Sequence, residues 1–151
     1  MEYILLLTAC INPDGMPFTC LADVGVRKKQ YIEALNFYLK NTTRKIVFVE
    51  NSGTDISSSF KDFQHRIEFL CFDGNLCFDK RKGKGYGEAL ILEYAMAKSE
   101  FITDDVLIFK LTGRLQLINI NRLIHYMDKL SPSKNFVCVV PPQNNSVDSR
   151  C

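Results

Sequence analysis

The chain has no surplus of charge of either sign: 19 Lys and Arg stand against 17 Asp and Glu, a formal net charge of +2. Without an overall basic field, nucleic acid is not an expected partner, and any anion site must come from local placement of charge. No CxxC pair occurs among Cys10, Cys20, Cys71, Cys77, Cys138 and Cys151, the closest being Cys71 and Cys77. Several of these flank apolar, strand-like runs, where a free thiol behaves as a small hydrophobe, so reduced thiols are expected rather than a disulfide framework or a metal site. No apolar run approaches the roughly 20 residues of a membrane span. Leu7-Thr8-Ala9-Cys10 has the look of a lipoprotein cleavage box, but the start carries Glu2 and no Lys or Arg before it. A secretion signal needs a cationic start and a longer apolar stretch. A buried first strand and a cytoplasmic protein are the expectation.

The 151 residues, 46% hydrophobic and 24% charged, have the composition of an ordinary globular domain. A chain of this length buries roughly 70% of the surface its unfolded form exposes. Periodicity divides it into alternating short apolar runs and amphipathic stretches. Strands are expected over 3–11, 45–50 (KIVFVE), 66–72, 105–111 and 136–140. Tyr31, Ile32, Leu35, Tyr38 and Leu39 mark one helical face over 27–40. A short helix is expected over 54–64, a strong one from Glu88 to about Ser99, and another around Ile120, Leu123, Ile124 and Met127. Turn signals close the strands at Asn12-Pro13-Asp14-Gly15, Asn51-Ser52-Gly53, Asp73-Gly74-Asn75 and Thr112-Gly113-Arg114. This alternation predicts an α/β fold, a mostly parallel sheet of about five strands with helices on both faces, Rossmann-like in layout. Residues 1–140 read as one α/β domain and 141–151 as a polar tail, either disordered or the start of a further region.

In such sheets ligands bind outside the carboxyl ends of the strands. Those ends offer Thr8 to Asn12, Glu50 and Asn51, Asp73 to Asn75, and Lys110 to Arg114. Glu50 can accept from a ribose hydroxyl or a base NH, and Asn51 can donate and accept; a plain turn with a solvated acid is the competing reading. The segment Lys80-Arg81-Lys82-Gly83-Lys84-Gly85-Tyr86-Gly87 alternates glycines directly before a helix, so free amides and the helix N-terminus can face an anion. Arg81, Lys82 and Lys84, joined by Lys110 and Arg114, would place five basic groups around a diphosphate. The P-loop pattern is missing, and the dinucleotide fingerprint would need its glycines after the first strand. His65 and His125 have no ligand spacing, and Asp104-Asp105 precedes the fourth strand, on the edge away from the crevice.

The order ILLLTACINP, RKKQYIEALNFYL, KIVFVENSG, GKGYGEALILEYA and FKLTGR resembles bacterial glycosyltransferases of surface-polysaccharide assembly, in the nucleotide-sugar-binding half of the GT-A type, over about residues 3–140. The resemblance implies transfer of a sugar from a nucleoside-diphosphate donor to a hydroxyl on a glycan or lipid-linked acceptor, in capsule or lipopolysaccharide synthesis. It places Glu50 and Asn51 where the nucleoside is read, and matches residues 85–96 to the helix before the DxD strand and 108–114 to that strand. Here Lys110-Leu111-Thr112-Gly113-Arg114 stands in place of the two aspartates, so no divalent cation is expected. Fixed cations can stabilise the leaving diphosphate, and Arg engages phosphate bidentately. Lys110 and Arg114 are therefore the expected catalytic cations, with Thr8, Glu50, Asn51, Lys84, Gly85, Thr112 and Gly113 around the donor. Two alternatives are carried: a sugar-phosphate nucleotidyltransferase, against which Asn12-Pro13-Asp14-Gly15 lacks a basic residue, and a non-catalytic α/β interaction domain. An exposed edge strand would let two copies pair as a homodimer.

Overall fold

The computed structural model describes residues 2–16, 19–76 and 79–129. They fall into two compact units, one ending at Gln116 and one beginning at Leu117. The first holds strands β1 (Glu2–Ala9), β2 (Lys45–Glu50), β3 (Ile67–Cys71) and β4 (Val106–Thr112), with helices α1 (Val24–Asn41) and α2 (Gly83–Lys98). In the second, the described residues form helix α3 (Ile120–Asp128).

All pairings in the sheet are parallel and the order is β3-β2-β1-β4. Four strands are described; the strand expected over 136–140 lies outside the described residues. β1 is an interior strand and reads as a continuous apolar run because both its faces are covered. Leu5, Leu6, Leu7, Val47 and Val49 are all buried, each contributing about 1.5–3 kcal/mol of burial. Alternation along the strands divides the core in two. Ile4, Leu6, Val47 and Val49 pack with Ile91 and Ala95 of α2. The intervening Phe48 faces the other layer, where Tyr31 of α1 meets it edge-on with ring centroids 5.9 Å apart. The chain thus passes from β1 to β2 over one face and from β3 to β4 over the other.

Helix boundaries follow local chemistry. α1 begins at Val24, ahead of the apolar stripe, because Asp23 Oδ1 accepts from Val26 N at 2.8 Å. Gly83 to Gly87 lie within the first turns of α2, not in a loop before it. The expected short helix over 54–64 is a 3₁₀ segment, Ser57–Phe63, kinked where Phe60 (φ −133°) turns its buried ring inward. Gly53 takes φ +72° after β2, the left-handed conformation its turn calls for.

Among the described residues, no helix is long and apolar enough to cross a membrane. Cys10, Cys20 and Cys71 are free thiols.

Candidate functional site

In the order β3-β2-β1-β4, the connections leaving the sheet part company between β1 and β4. Open α/β sheets take their ligands at such a switch point, at the carboxyl ends of the strands. Here those ends are held unusually close. Gly113 N donates to Thr8 O at 2.8 Å, and a Cβ on Gly113 would sit 2.8 Å from that same oxygen and 3.3 Å from the Tyr31 ring. Only glycine fits there, for want of space.

On the α2 side of the rim, Thr8, Lys110 and Glu88 come together. Glu88 Oε1 accepts from the buried Thr8 hydroxyl at 2.8 Å and pairs with Lys110 Nζ at 2.6 Å. Lys110 is thereby engaged by a carboxylate that no sequence motif marks. The signal was present in Gly87-Glu88 at the start of a helix; what could not be read was that the second turn of α2 lands beside β1. Thr112 alternates onto the same face as Lys110.

Arg114 goes the other way. Its Nη1 reaches Gln30 Oε1 of α1 at 3.5 Å, and among the described residues it forms no ion pair. The expected convergence of five cations is therefore corrected. Lys110 faces the α2 layer and Arg114 the α1 layer. Arg81 forms a fork with Asp79 at 2.9 and 3.0 Å, and Lys82 Nζ stands 4.4 Å from the centre of the Tyr86 ring. Lys84 and Gly85 lie exposed in the first turn of α2, with open space around the Gly85 Cα. That turn has neither a side-chain cap nor an acidic residue, and it continues directly from the 3₁₀ turn Lys80–Lys82.

Glu50 also departs from expectation. It is buried, neither a solvated turn residue nor an acceptor held open for a ribose. Oε1 accepts from Ile11 N at 2.8 Å and from Ser52 Oγ; Oε2 accepts from Ser52 N at 2.9 Å, Thr54 N at 2.8 Å and Cys71 Sγ at 3.6 Å. A carboxylate offers about four lone-pair positions, and the chain's own donors fill them. Glu50 is the clamp that joins the ends of β1 and β2. Partial burial, reinforced by this carboxylate, pushes the Cys71 thiol up to about 11. Asn51 follows the clamp: its N donates to Ala9 O at 3.1 Å and its O accepts from Gly74 N at 2.8 Å. Its side-chain Oδ1 is buried without a hydrogen-bond partner among the described residues.

The segment after β1 is organised by Arg27, which sequence periodicity had placed only as the start of a helix. This buried guanidinium donates through Nε to Cys10 O at 2.9 Å, through Nη1 to Leu21 O at 3.0 Å, and through Nη2 to Cys10 O. Among the described residues it has carbonyl partners and no carboxylate. Tyr31 stands next to it, its hydroxyl accepting from Cys10 N at 3.0 Å. Burial raises the Tyr31 phenol above its usual range, opposed by the charges of Arg27 and Arg114 nearby. Burial likewise raises the Cys10 thiol, with Arg27 pulling the other way.

No protein family matches the chain, and neither does any curated protein or solved structure. The reading of function therefore rests on this rim. Two surface hollows lie elsewhere, one on the outer side of α1 at Glu33, Phe37 and Lys40 and one at Asp55, Gln64 and Cys71. Neither is lined by the residues expected around a donor.

Proposed function

We propose that the chain is the nucleotide-sugar-binding domain of a cytoplasmic glycosyltransferase of surface-polysaccharide assembly. It moves a sugar from a nucleoside-diphosphate donor to a hydroxyl of a glycan or lipid-linked acceptor, with protein cations in the place of a DxD-bound metal. The observation that carries this reading is Arg114: a half-buried guanidinium that forms no ion pair among the described residues, at the end of β4 beside the switch point of a parallel sheet. A leaving diphosphate gains negative charge, and a fixed guanidinium stabilises it with two parallel donors. Lys110, held by Glu88, contributes to the site through that carboxylate instead of through a phosphate.

Calorimetry of the chain with UDP, GDP, CDP and TDP sugars, with and without Mn²⁺, tests the reading. Arg114→Ala should weaken diphosphate binding by about tenfold to a hundredfold, the worth of a charge-assisted contact, and leave nucleoside binding nearly untouched. No binding at millimolar donor, or an equal loss for nucleoside and diphosphate, removes the proposal. One observation favours a second reading, a non-catalytic interaction domain: Lys110 and Arg114 lie on opposite faces of the sheet. Under that reading the rim binds no sugar nucleotide, and the same titration separates the two.

A further inference from the structure

Glu88 sits in the second turn of α2 and is fixed from two strands. Its Oε1 receives the Thr8 hydroxyl of β1 at 2.8 Å and the Lys110 ammonium of β4 at 2.6 Å. Both anchors are themselves constrained, Thr8 being 3% exposed and the Lys110 side chain 21%. The second oxygen, Oε2, takes no bond among the described residues, and the Glu88 side chain is 36% exposed. The result is a half-buried carboxylate whose orientation is set before any ligand arrives. Thr8, which orients it, is also the residue whose carbonyl holds Gly113, one position from Arg114. Glu88 and the Arg114 turn are thus tied to the same point of the rim from its two faces.

We propose that Glu88 Oε2 accepts a hydrogen bond from a hydroxyl of the donor's sugar, which makes Glu88 a specificity-determining residue of the nucleotide-sugar site. The inference rests on the donor-binding reading above and deepens it. Glu88 and Lys110 form a charge-balanced pair, so the Glu88 side of the rim suits the uncharged portion of the ligand, and the Arg114 side, with no ion pair among the described residues, suits the charged portion. The sugar is bonded directly to the diphosphate and lies next to it. Its hydroxyls need acceptors when they leave water. An acceptor that is already immobilised adds little ordering cost on binding, and its charge strengthens the bond. A site built this way also discriminates, because a deoxy sugar leaves the carboxylate oxygen unpaired.

The test is calorimetry on the full chain with each UDP, GDP, CDP and TDP sugar beside its free nucleoside diphosphate. Glu88→Gln keeps the shape: its carbonyl can stay towards Lys110 and Thr8, which puts an NH₂ donor where Oε2 was. Affinity for the sugar nucleotide should fall about tenfold while affinity for the free diphosphate moves less than about twofold. If Glu88→Gln binds both ligands as the parent does, or loses both equally, the inference is overturned while the donor reading stands. If the parent chain binds the free diphosphates and sugar nucleotides not at all, both fall together. Should Glu88→Gln fail to fold, as a thermal melt would show, Glu88→Asp retains the charge and withdraws Oε2 by one methylene. The same selective loss on the sugar nucleotide is expected there, and its absence overturns the inference equally.

Discussion

Replacing Glu50 by Gln distinguishes a clamp from a ligand-binding acid. The side chain is buried and accepts from three backbone amides (Ile11 N, Ser52 N and Thr54 N) together with the Ser52 hydroxyl and the Cys71 thiol. Glutamine has nearly the same shape but one acceptor oxygen and an NH₂ in place of two oxygens. If the NH₂ replaces Oε2, it confronts both Ser52 N and Thr54 N. If it replaces Oε1, the serine hydroxyl can turn to accept, but Ile11 N is left facing a donor. The cheaper arrangement therefore still strands one buried amide, at about 1–3 kcal/mol, and strips the charge from the remaining bonds. The total comes to about 3–5 kcal/mol, a large part of the 5–15 kcal/mol that holds a typical domain together. Urea unfolding followed by circular dichroism would register it, and a thermal melt should drop by roughly 10 °C. A variant within about 1 kcal/mol of the parent that has instead lost nucleotide binding would refute the clamp and return Glu50 to the ligand.

Two further outcomes follow from the rim. Gly85 lies in the first turn of α2, where an added Cβ meets nothing within 4 Å, so Gly85→Ala should stabilise the fold by about 0.5–1 kcal/mol. Its amide is unchanged, so sugar-nucleotide affinity should hold; a loss beyond about fivefold in calorimetry would mean that a ligand packs directly on this glycine. Cys71, pushed up to about 11 from 9.0 by burial and then by Glu50, is raised in the folded state. Its contribution to stability is whole below pH 9 and is lost as pH rises through about 11. Alkylation of Cys71 by iodoacetamide should be slow at pH 8 and accelerate towards pH 11, and Glu50→Gln should shift that profile to lower pH.

The sheet was readable because burial on both faces leaves a direct trace in the sequence. Residues 45–50 match β2 without adjustment, and β1 and β4 differ from expectation by one or two residues at their ends. The α2 boundary lies earlier than the sequence pattern indicates because glycine is a poor helix former, whereas packing of Ile91 and Ala95 on β1 and β2 carries the helix back to Gly83. At the rim, the residue types at the strand ends are legible in the sequence and their pairing is not. A basic residue at a strand end can be found by eye. Whether Lys110 meets a phosphate or Glu88 depends on where the second turn of another helix comes to rest, 22 positions away. Glu50 illustrates the same gap, since the amides that fill it belong to Ile11, Ser52 and Thr54, and only the folded turn aims them at one carboxylate. Arg27 leaves no signal in the sequence because its partners are carbonyls, which every residue has.

The contact between Gly113 and the carbonyl of Thr8 also bears on how this rim could be re-engineered. Any side chain at position 113 must push against main chain rather than against a flexible neighbour, so the two strand tips cannot separate without disturbing the hydroxyl that steers Glu88. A library randomised at 113 and selected for folding alone should return glycine almost exclusively, whereas position 114, one step further into solvent, should accept many residues. The boundary between what the scaffold forbids and what selection for ligand could alter would then fall between two adjacent codons.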